Sequence, residues 1–144
     1  MRSNPLLALA LTFVLGICGL PAAHAQTWPA KPVRIIVPFS PGGFADSSVR
    51  AIGDRLAARL GQPVVVENRP GAAGNIGTEF VAKSAPDGYT LLVNATGGMS
   101  VNPVLYSKLP YDPLRDFVSV SMIGMFPMVL VVNPALPVNS VQEL

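Results

Sequence analysis

Two glycine-bearing turns contain the residues whose types and spacing best suit ligand binding. The first, GGFAD at residues 42–46, follows the apolar run Val33–Val37. A helix that begins at these glycines leaves backbone N–H groups unpaired, and such groups attract anions. In one interpretation the amides of Gly43, Phe44 and Ala45 face a ligand carboxylate while Asp46 orders the loop or meets a ligand donor. In the other, Asp46 caps the helix and satisfies those amides itself.

The second turn, at residues 95–102, follows another apolar run and contains the polar side chains of Thr96, Ser100 and Asn102. In open α/β sheets, ligands bind beyond the carboxyl ends of the strands, at the point where the strand order reverses. If the first three strands lie in the order 2-1-3, the turn that contains Gly42 and this second turn flank such a point. Both turns are therefore predicted to contact a ligand.

A third glycine loop runs from Gly71 to Gly77 and supports a rival hypothesis, a small α/β enzyme that binds a nucleotide there. Its glycines are spaced G-x-x-G-x-x-G and lie in the second βα unit, whereas the dinucleotide fingerprint is G-x-G-x-x-G in the first unit. The phosphate-binding P-loop pattern also fails, because no Gly-Lys-Ser/Thr follows. The loop fits better as a tight connection between a strand and a helix.

Residues 1–25 have the organisation of a cleaved secretory signal peptide. One basic residue, Arg2, precedes an apolar run that ends at Leu20, and Ala23-His24-Ala25 forms the cleavage site. The run is shorter than the roughly 20 residues that a membrane span requires. The sequence therefore predicts export to the periplasm.

Removal of that segment takes away Cys18 and His24, the only cysteine and histidine of the chain. Residues 26–144 then cannot form a disulfide, a histidine-based catalytic triad or a His/Cys zinc site. The 10 Lys and Arg residues are scattered among 8 Asp and Glu residues, which argues against a nucleic-acid surface. We expect a protein that is not an enzyme and that needs no metal or cofactor.

Hydrophobic periodicity predicts an α/β fold built on a mainly parallel sheet with helices on both faces. The predicted strands are residues 33–37, 64–67, 90–94, 117–123 and 128–132, and the predicted helices are residues 46–60, 75–85 and 99–105. At the carboxyl terminus, Ser140 and Glu143 have the spacing of a capping box that starts a helix. The sequence therefore predicts a truncated chain in which residues 26–144 are one α/β lobe.

Three blocks of the sequence, WPAKPVRIIVPFSPGGFAD, LGQPVVVENRPGAAGNIGTEFVAKSAPDGYTLLV and YDPLRDFVSVSMIG, resemble the Bug/TctC substrate-binding proteins of tripartite tricarboxylate transporters. The resemblance covers nearly all of residues 28–144. It implies a periplasmic-binding-protein fold of type II strand order, with two lobes that close on a small organic acid. It also implies that the second lobe is absent or incomplete here.

The same resemblance implies which residues contact the ligand: the loop that contains Gly42 would hold the carboxylate through backbone amides and waters, and residues 96–102 would be the second contact loop. The partners it implies are a small di- or tricarboxylate and the membrane permease subunits of the transporter. A membrane sensor kinase is a further hypothetical partner on which the residues are silent. Family members often have GGGTD where this chain has GGFAD, so the ligand preference is expected to differ.

Overall fold

The computed structural model describes residues 27–144, so the predicted signal peptide lies outside the described residues. The chain divides into two compact units at the boundary between Ala30 and Lys31. Of the first unit only residues 27–30 are described, and they form no helix or strand. The fold below is that of the second unit, Lys31–Leu144. None of the helices in the described part is long and apolar enough to cross a bilayer.

Three parallel strands form the sheet of the second unit. They are β1 (Val33–Val37), β2 (Val64–Asn68) and β3 (Thr90–Leu92), and their order is β2-β1-β3. Ile35 of β1 lies opposite Val66 on one side and Leu91 on the other. The order 2-1-3 is confirmed, so the turns that follow β1 and β3 leave neighbouring strands at the same edge of the sheet.

Helix α1 (Phe44–Leu60) covers one face of the sheet and begins two residues before the predicted start. Its Val49 packs with Ile35 and Val37 of β1 in the hydrophobic core. The helix ends at Gly61, whose left-handed conformation lets its N–H bond to the Ala57 carbonyl at 2.9 Å, as is common at helix ends.

Helix α2 (Asn75–Ala82) covers the opposite face. Arg34 and Ile35 are neighbours on β1, so their side chains lie on opposite faces of the sheet. The Arg34 guanidinium lies 5.5 Å from the centroid of the Phe80 ring of α2. A short 3₁₀ turn, Ala72–Gly74, precedes the helix. The helix ends three residues before the predicted end, and the Ser84 N–H closes the last turn on the Val81 carbonyl at 2.9 Å.

After β3 the chain forms a π-helical turn, Gly97–Val101, which continues into the single turn of helix α3 (Asn102–Leu105). The predicted helix at residues 99–105 is therefore present, with a wider first turn. Single π-helical turns often occur at functional sites.

The prediction of strands at residues 117–123 and 128–132 is wrong for the described chain, which forms no strand after Leu92. Strands need a hydrogen-bonding partner, and the apolar side chains of this segment face solvent instead; Val118 is 91% exposed and Met128 is 88% exposed. At the end of the chain, Val141–Glu143 forms a 3₁₀ turn in place of the predicted helix start, because a single turn does not stabilise an α-helix.

Candidate functional site

The start of α1 presents three backbone donors that have no partner among residues 27–144. Gly43 is the residue that precedes the helix, and its carbonyl accepts the first helical hydrogen bond, from the Ser47 N–H at 2.9 Å. Among the described residues, the amides of Gly43, Phe44 and Ala45 donate no hydrogen bond. The positive end of the helix dipole is therefore available to an anion at this position.

The interpretation of Asp46 as the helix cap is wrong. Asp46 lies in the first turn of α1, and its carboxylate reaches back to accept a hydrogen bond from the Gly42 N–H at 2.8 Å. This contact fixes the loop ahead of the helix and leaves the next three amides without a partner in the part of the chain that the structure describes. Asp46 therefore orders the loop, which is one of the two roles that the functional interpretation gave it.

Side chains of the protein also offset the negative charge of the Asp46 carboxylate. It accepts hydrogen bonds from Arg50 Nε at 2.9 Å and from Asn68 Nδ2 at 3.0 Å. The hydrogen bonds from Arg50, Gly42 and Asn68 lower the pKa of Asp46 from 3.8 to about 2. Because the buried carboxylate is satisfied within the protein, it repels an incoming anion less than a free carboxylate would.

An aromatic pair flanks the same helix start. Phe44 is half-exposed, and its ring centroid lies 4.8 Å from that of Phe126 with the planes tilted by 52°. Gly124 lies beneath the pair, since a β-carbon at that position would come within 3.2 Å of the Phe44 ring. An apolar surface therefore adjoins these amides.

In the turn after β3, Thr96 and Ser100 are exposed while Gly98 between them is buried. The two hydroxyl side chains are therefore accessible to a ligand. Asn102 is different, because it is only 4% exposed and its amide donates to the Ala73 carbonyl at 3.2 Å and to Asn75 Oδ1 at 2.7 Å. Those contacts stabilise the fold, and a direct contact between Asn102 and a ligand stays a prediction.

The Gly71–Gly77 loop packs against the protein. A β-carbon on Gly77 would lie 2.7 Å from the Arg69 carbonyl oxygen and 2.9 Å from Pro38 Cβ, so glycine is required there for close packing of α2. The Asn75 side chain at the start of α2 is also buried, and its Oδ1 accepts a hydrogen bond from Asn102. These contacts account for the loop without a phosphate.

Sequence reasoning missed two positioning residues. Asn68, the last residue of β2, links Asp46 to the Phe39 carbonyl, to which it donates at 3.1 Å. Tyr111, which belongs to the YDPLRDF block, is 5% exposed and contacts Asn75 and Gly98. A polar residue directly after an apolar strand could have indicated Asn68, but no local pattern indicates the partners of Tyr111.

Within residues 27–144, no cluster of three or more histidine, cysteine, aspartate or glutamate side chains could hold a metal ion. Apart from the Asp46 carboxylate, whose hydrogen bonds are made within the protein, the described polar groups of the two turns are amides and hydroxyls. Such groups bind ligands by hydrogen bonding, and the arrangement suits recognition of an anion.

Comparison with known proteins identifies a family. Residues 48–144 match the family of tripartite tricarboxylate transporter receptors, TctC. BugT of Bordetella pertussis is 46% identical over 100% of this chain, which spans 44% of BugT. The chain therefore covers less than half the length of this relative.

Two solved structures share the fold. The periplasmic binding protein BugD is 42% identical with a TM-score of 0.60, over 62% of this chain and 30% of BugD. MatC from Rhodopseudomonas palustris, solved with bound malate, is 41% identical with a TM-score of 0.60, over 62% of this chain and 31% of MatC. The family match, these identities and the parallel α/β sheet agree, and the chain belongs to the TctC family of tripartite tricarboxylate transporter receptors.

Proposed function

We propose that this chain is the first lobe of a two-lobed periplasmic receptor that captures a small carboxylate and delivers it to the permease subunits of a tripartite tricarboxylate transporter. Family membership supports the receptor role, and the periplasmic BugD supports the location. The malate bound to MatC supports a carboxylate as ligand. The proposed role is binding and release without catalysis.

The observation that carries this proposal is the group of three unpaired amides at the start of α1. A carboxylate has two oxygens that together accept several hydrogen bonds, so it can use the N–H groups of Gly43, Phe44 and Ala45. Charge-assisted hydrogen bonds of this kind are about twice as strong as neutral ones. In this proposal Gly42 and Asp46 hold the loop in shape.

The exposed hydroxyls of Thr96 and Ser100 are proposed to contact a second polar group of the ligand. They follow β3, which pairs directly with β1, so both turns lie at the carboxyl edge of the sheet. A cleft of two lobes would enclose the ligand more fully than one lobe. We therefore expect the 144-residue chain alone to bind more weakly than a complete two-lobed receptor.

No specific observation favours the rival hypothesis of a nucleotide-binding enzyme. The Gly77 position in the loop that would hold the phosphates is in close contact with Arg69 and Pro38. The loop therefore has a structural explanation that needs no ligand.

The receptor proposal is tested by removing one donor from the helix start. Gly43 has φ −73° and ψ 171°, which are within the range of proline, and Gly42 before it has no β-carbon to meet the ring. Gly43→Pro deletes this N–H, whereas the matched control Gly43→Ala keeps it. Because Gly42 is left-handed (φ 86°) and its N–H holds the loop, equal melting temperatures of Gly43→Pro and the wild type establish that the loop is kept. The nearest atom to the new β-carbon is the Ser40 carbonyl oxygen at 3.8 Å, an ordinary contact.

Binding of malate, adipate and citrate to the whole polypeptide encoded by the reading frame is measured by isothermal titration calorimetry. We expect Gly43→Pro to weaken carboxylate binding about 10- to 100-fold, as loss of a hydrogen bond to a charged group does, and Gly43→Ala to bind like the wild type. Equal affinities of all three proteins would refute the assignment of the site. Binding of phosphate or an amino acid in place of every carboxylate would overturn the ligand class.

A further inference from the structure

A buried group of three polar side chains joins the second and third βα turns. Asn75 lies at the start of α2, Asn102 at the start of α3, and Tyr111 in the irregular connection that follows α3. They are 7%, 4% and 5% exposed respectively. Asn75 Oδ1 accepts a hydrogen bond from Asn102 Nδ2 at 2.7 Å and lies 2.9 Å from the Tyr111 hydroxyl.

The Tyr111 hydroxyl also lies 2.7 Å from the Gly98 carbonyl oxygen. A tyrosine hydroxyl has one proton, so it donates to one of these two acceptors at a time. The ring is held independently by an edge-to-face contact with Phe117, with centroids 6.0 Å apart and planes at 86°. The position of the hydroxyl is therefore fixed by packing as well as by hydrogen bonds.

Gly98 is fixed from its other side by Asn94. Asn94 Nδ2 donates to Thr78 Oγ1 at 2.9 Å, and Asn94 Oδ1 accepts from the Ala95 N–H at 2.8 Å. A β-carbon on Gly98 would lie 2.4 Å from Asn94 Nδ2, so the two residues are in close contact. The buried centre of the π-helical turn is thus held between Asn94 and Tyr111.

The residues beside this fixed centre are the exposed Thr96 and Ser100. A hydroxyl that must meet a ligand in one geometry contributes more to affinity when its backbone is already ordered. Helical turns of the π type are rare and occur mostly as single turns. At the start of this one the backbone bonding is long, since the Met99 N–H reaches the Ala95 carbonyl at 3.4 Å.

We propose that Tyr111 is a positioning residue of the ligand site: its hydroxyl holds the Gly98 carbonyl and so orders the turn that presents Thr96 and Ser100. This inference rests on the proposed carboxylate-binding function and assigns a role in it to the YDPLRDF block. Tyr111 itself is buried and does not touch the ligand.

The test is Tyr111→Phe in the whole polypeptide, which removes the hydroxyl and keeps the ring that packs on Phe117. The control is Val33→Ala, which truncates a fully buried side chain at the amino end of β1, the edge of the sheet opposite the turns. Two quantities are measured at a temperature where both variants are folded. They are the affinity for malate and, without ligand, the hydrogen-exchange rates of the amides of residues 98–101.

We expect Tyr111→Phe to weaken malate binding about five- to tenfold, the effect of one lost buried hydrogen bond, and to speed exchange in the turn. Val33→Ala is expected to lower the melting temperature and to change neither quantity. Wild-type affinity in Tyr111→Phe overturns the inference. An equal loss of affinity in Val33→Ala also overturns it, because general destabilisation then explains the effect.

Failure of the proposed function is separately visible. If the wild-type protein binds no carboxylate, the exchange rates alone decide: faster exchange in Tyr111→Phe supports the ordering role, and unchanged exchange refutes it. If Tyr111→Phe does not fold, the wild-type protein is examined by nuclear magnetic resonance. A protected Tyr111 hydroxyl proton whose shift moves on addition of malate supports the inference, and the absence of such a proton contradicts it.

Discussion

Asn68 and Asp46 come from different βα units, and the Asn68 Nδ2 donates to the Asp46 carboxylate at 3.0 Å. The same amide group donates to the Phe39 carbonyl at 3.1 Å, and Arg50 Nη2 donates to Asn68 Oδ1 at 2.9 Å. The end of β2 therefore holds the loop between β1 and α1. The Asp46 carboxylate is buried and bonded to three donors, and a satisfied buried polar group rigidifies the structure around it.

The low pKa of Asp46 predicts a specific pH dependence of stability. Its folded-state pKa of about 2 lies below the ordinary 3.8, so its contribution is complete above about pH 4 and is lost as the pH falls toward 2. Asp46→Asn should lower the melting temperature at neutral pH and flatten its dependence between pH 4 and 2. Thermal melts across this range are compared with Asp54→Asn, which changes an exposed charge of the same helix. Identical pH profiles for Asp46→Asn and the wild type would contradict the assignment.

Glu67 is predicted to contribute a salt-sensitive part of the stability. Its carboxylate accepts hydrogen bonds from Arg34 and Arg69, which lower its pKa, and the Arg69 guanidinium lies 3.6 Å from the centroid of the Phe80 ring. Glu67→Gln should cost about 1 kcal/mol at low salt and less at 1 M salt, because these groups are partly exposed.

Urea unfolding at both salt concentrations measures this cost. Glu79→Gln, which removes the partner of Lys83 on the surface of α2, serves as the control, with an expected change of about 0.3–0.5 kcal/mol. A larger loss for Glu79→Gln than for Glu67→Gln would run against the prediction.

Two glycine-to-alanine substitutions should have opposite effects on stability. At Gly77 the new β-carbon would lie 2.7 Å from the Arg69 carbonyl oxygen, and such overpacking costs about 1–3 kcal/mol. At Gly53, inside α1, a new β-carbon would meet no atom within 4 Å apart from the helix's own neighbouring backbone, so alanine should stabilise the protein by about 0.5–1 kcal/mol through its helix propensity. Denaturant unfolding of the two variants gives the sign of each change in the free energy of unfolding. An unchanged free energy of unfolding in Gly77→Ala would show that the loop does not need close packing.

The exposed hydroxyls of Thr96, directly before the π-helical turn, and of Ser100, within it, are predicted to affect binding and to leave stability unchanged. Thr96→Val and Ser100→Ala should each weaken malate binding of the whole polypeptide about threefold to tenfold, whereas their unfolding free energies should stay within about 0.5 kcal/mol of the wild type. The control is Ser119→Ala, which removes the hydroxyl of an exposed serine two residues after Phe117. Calorimetric titration measures the malate affinity of each variant. A loss of affinity in Ser119→Ala equal to that in Thr96→Val and Ser100→Ala would count against the assignment of the two hydroxyls to the ligand site.

The positions of the sheet strands are predicted from the sequence more accurately than the structure of segments whose folding depends on residues far away in the chain. The run Val33–Val37 is continuous and β-branched, so its burial follows from local pattern, and its bounds agree with the structure. The strand predicted at residues 90–94 is shorter in the structure, Thr90–Leu92, although Val93 still donates to the Ile36 carbonyl at 2.9 Å. Residues 117–123 have the same composition as a strand and form none, because strand formation depends on a pairing partner that the pattern cannot supply.

In the candidate site, too, some features follow from local sequence and others depend on long-range contacts. Glycines before a helix start predict free amides from local rules alone, and the region around Gly43 agrees. The roles of Asn68 and Tyr111 depend on contacts across 22 and 36 residues of sequence, to Asp46 and Asn75 respectively. Local patterns contain no information on such pairs, which is why the hydrogen bond between Asn102 and Asn75 is not predicted either.

The exposed apolar segment has a consequence for handling and expression of the chain. No Lys, Arg, Asp or Glu occurs between Asp116 and Glu143, and the run Met128 to Val132 is rich in β-branched residues. Uncharged β-prone runs that face solvent are the segments that nucleate insoluble aggregates. A lysine at position 129 or 131 would act as a gatekeeper, so Val129→Lys is expected to increase the soluble yield of the 144-residue chain.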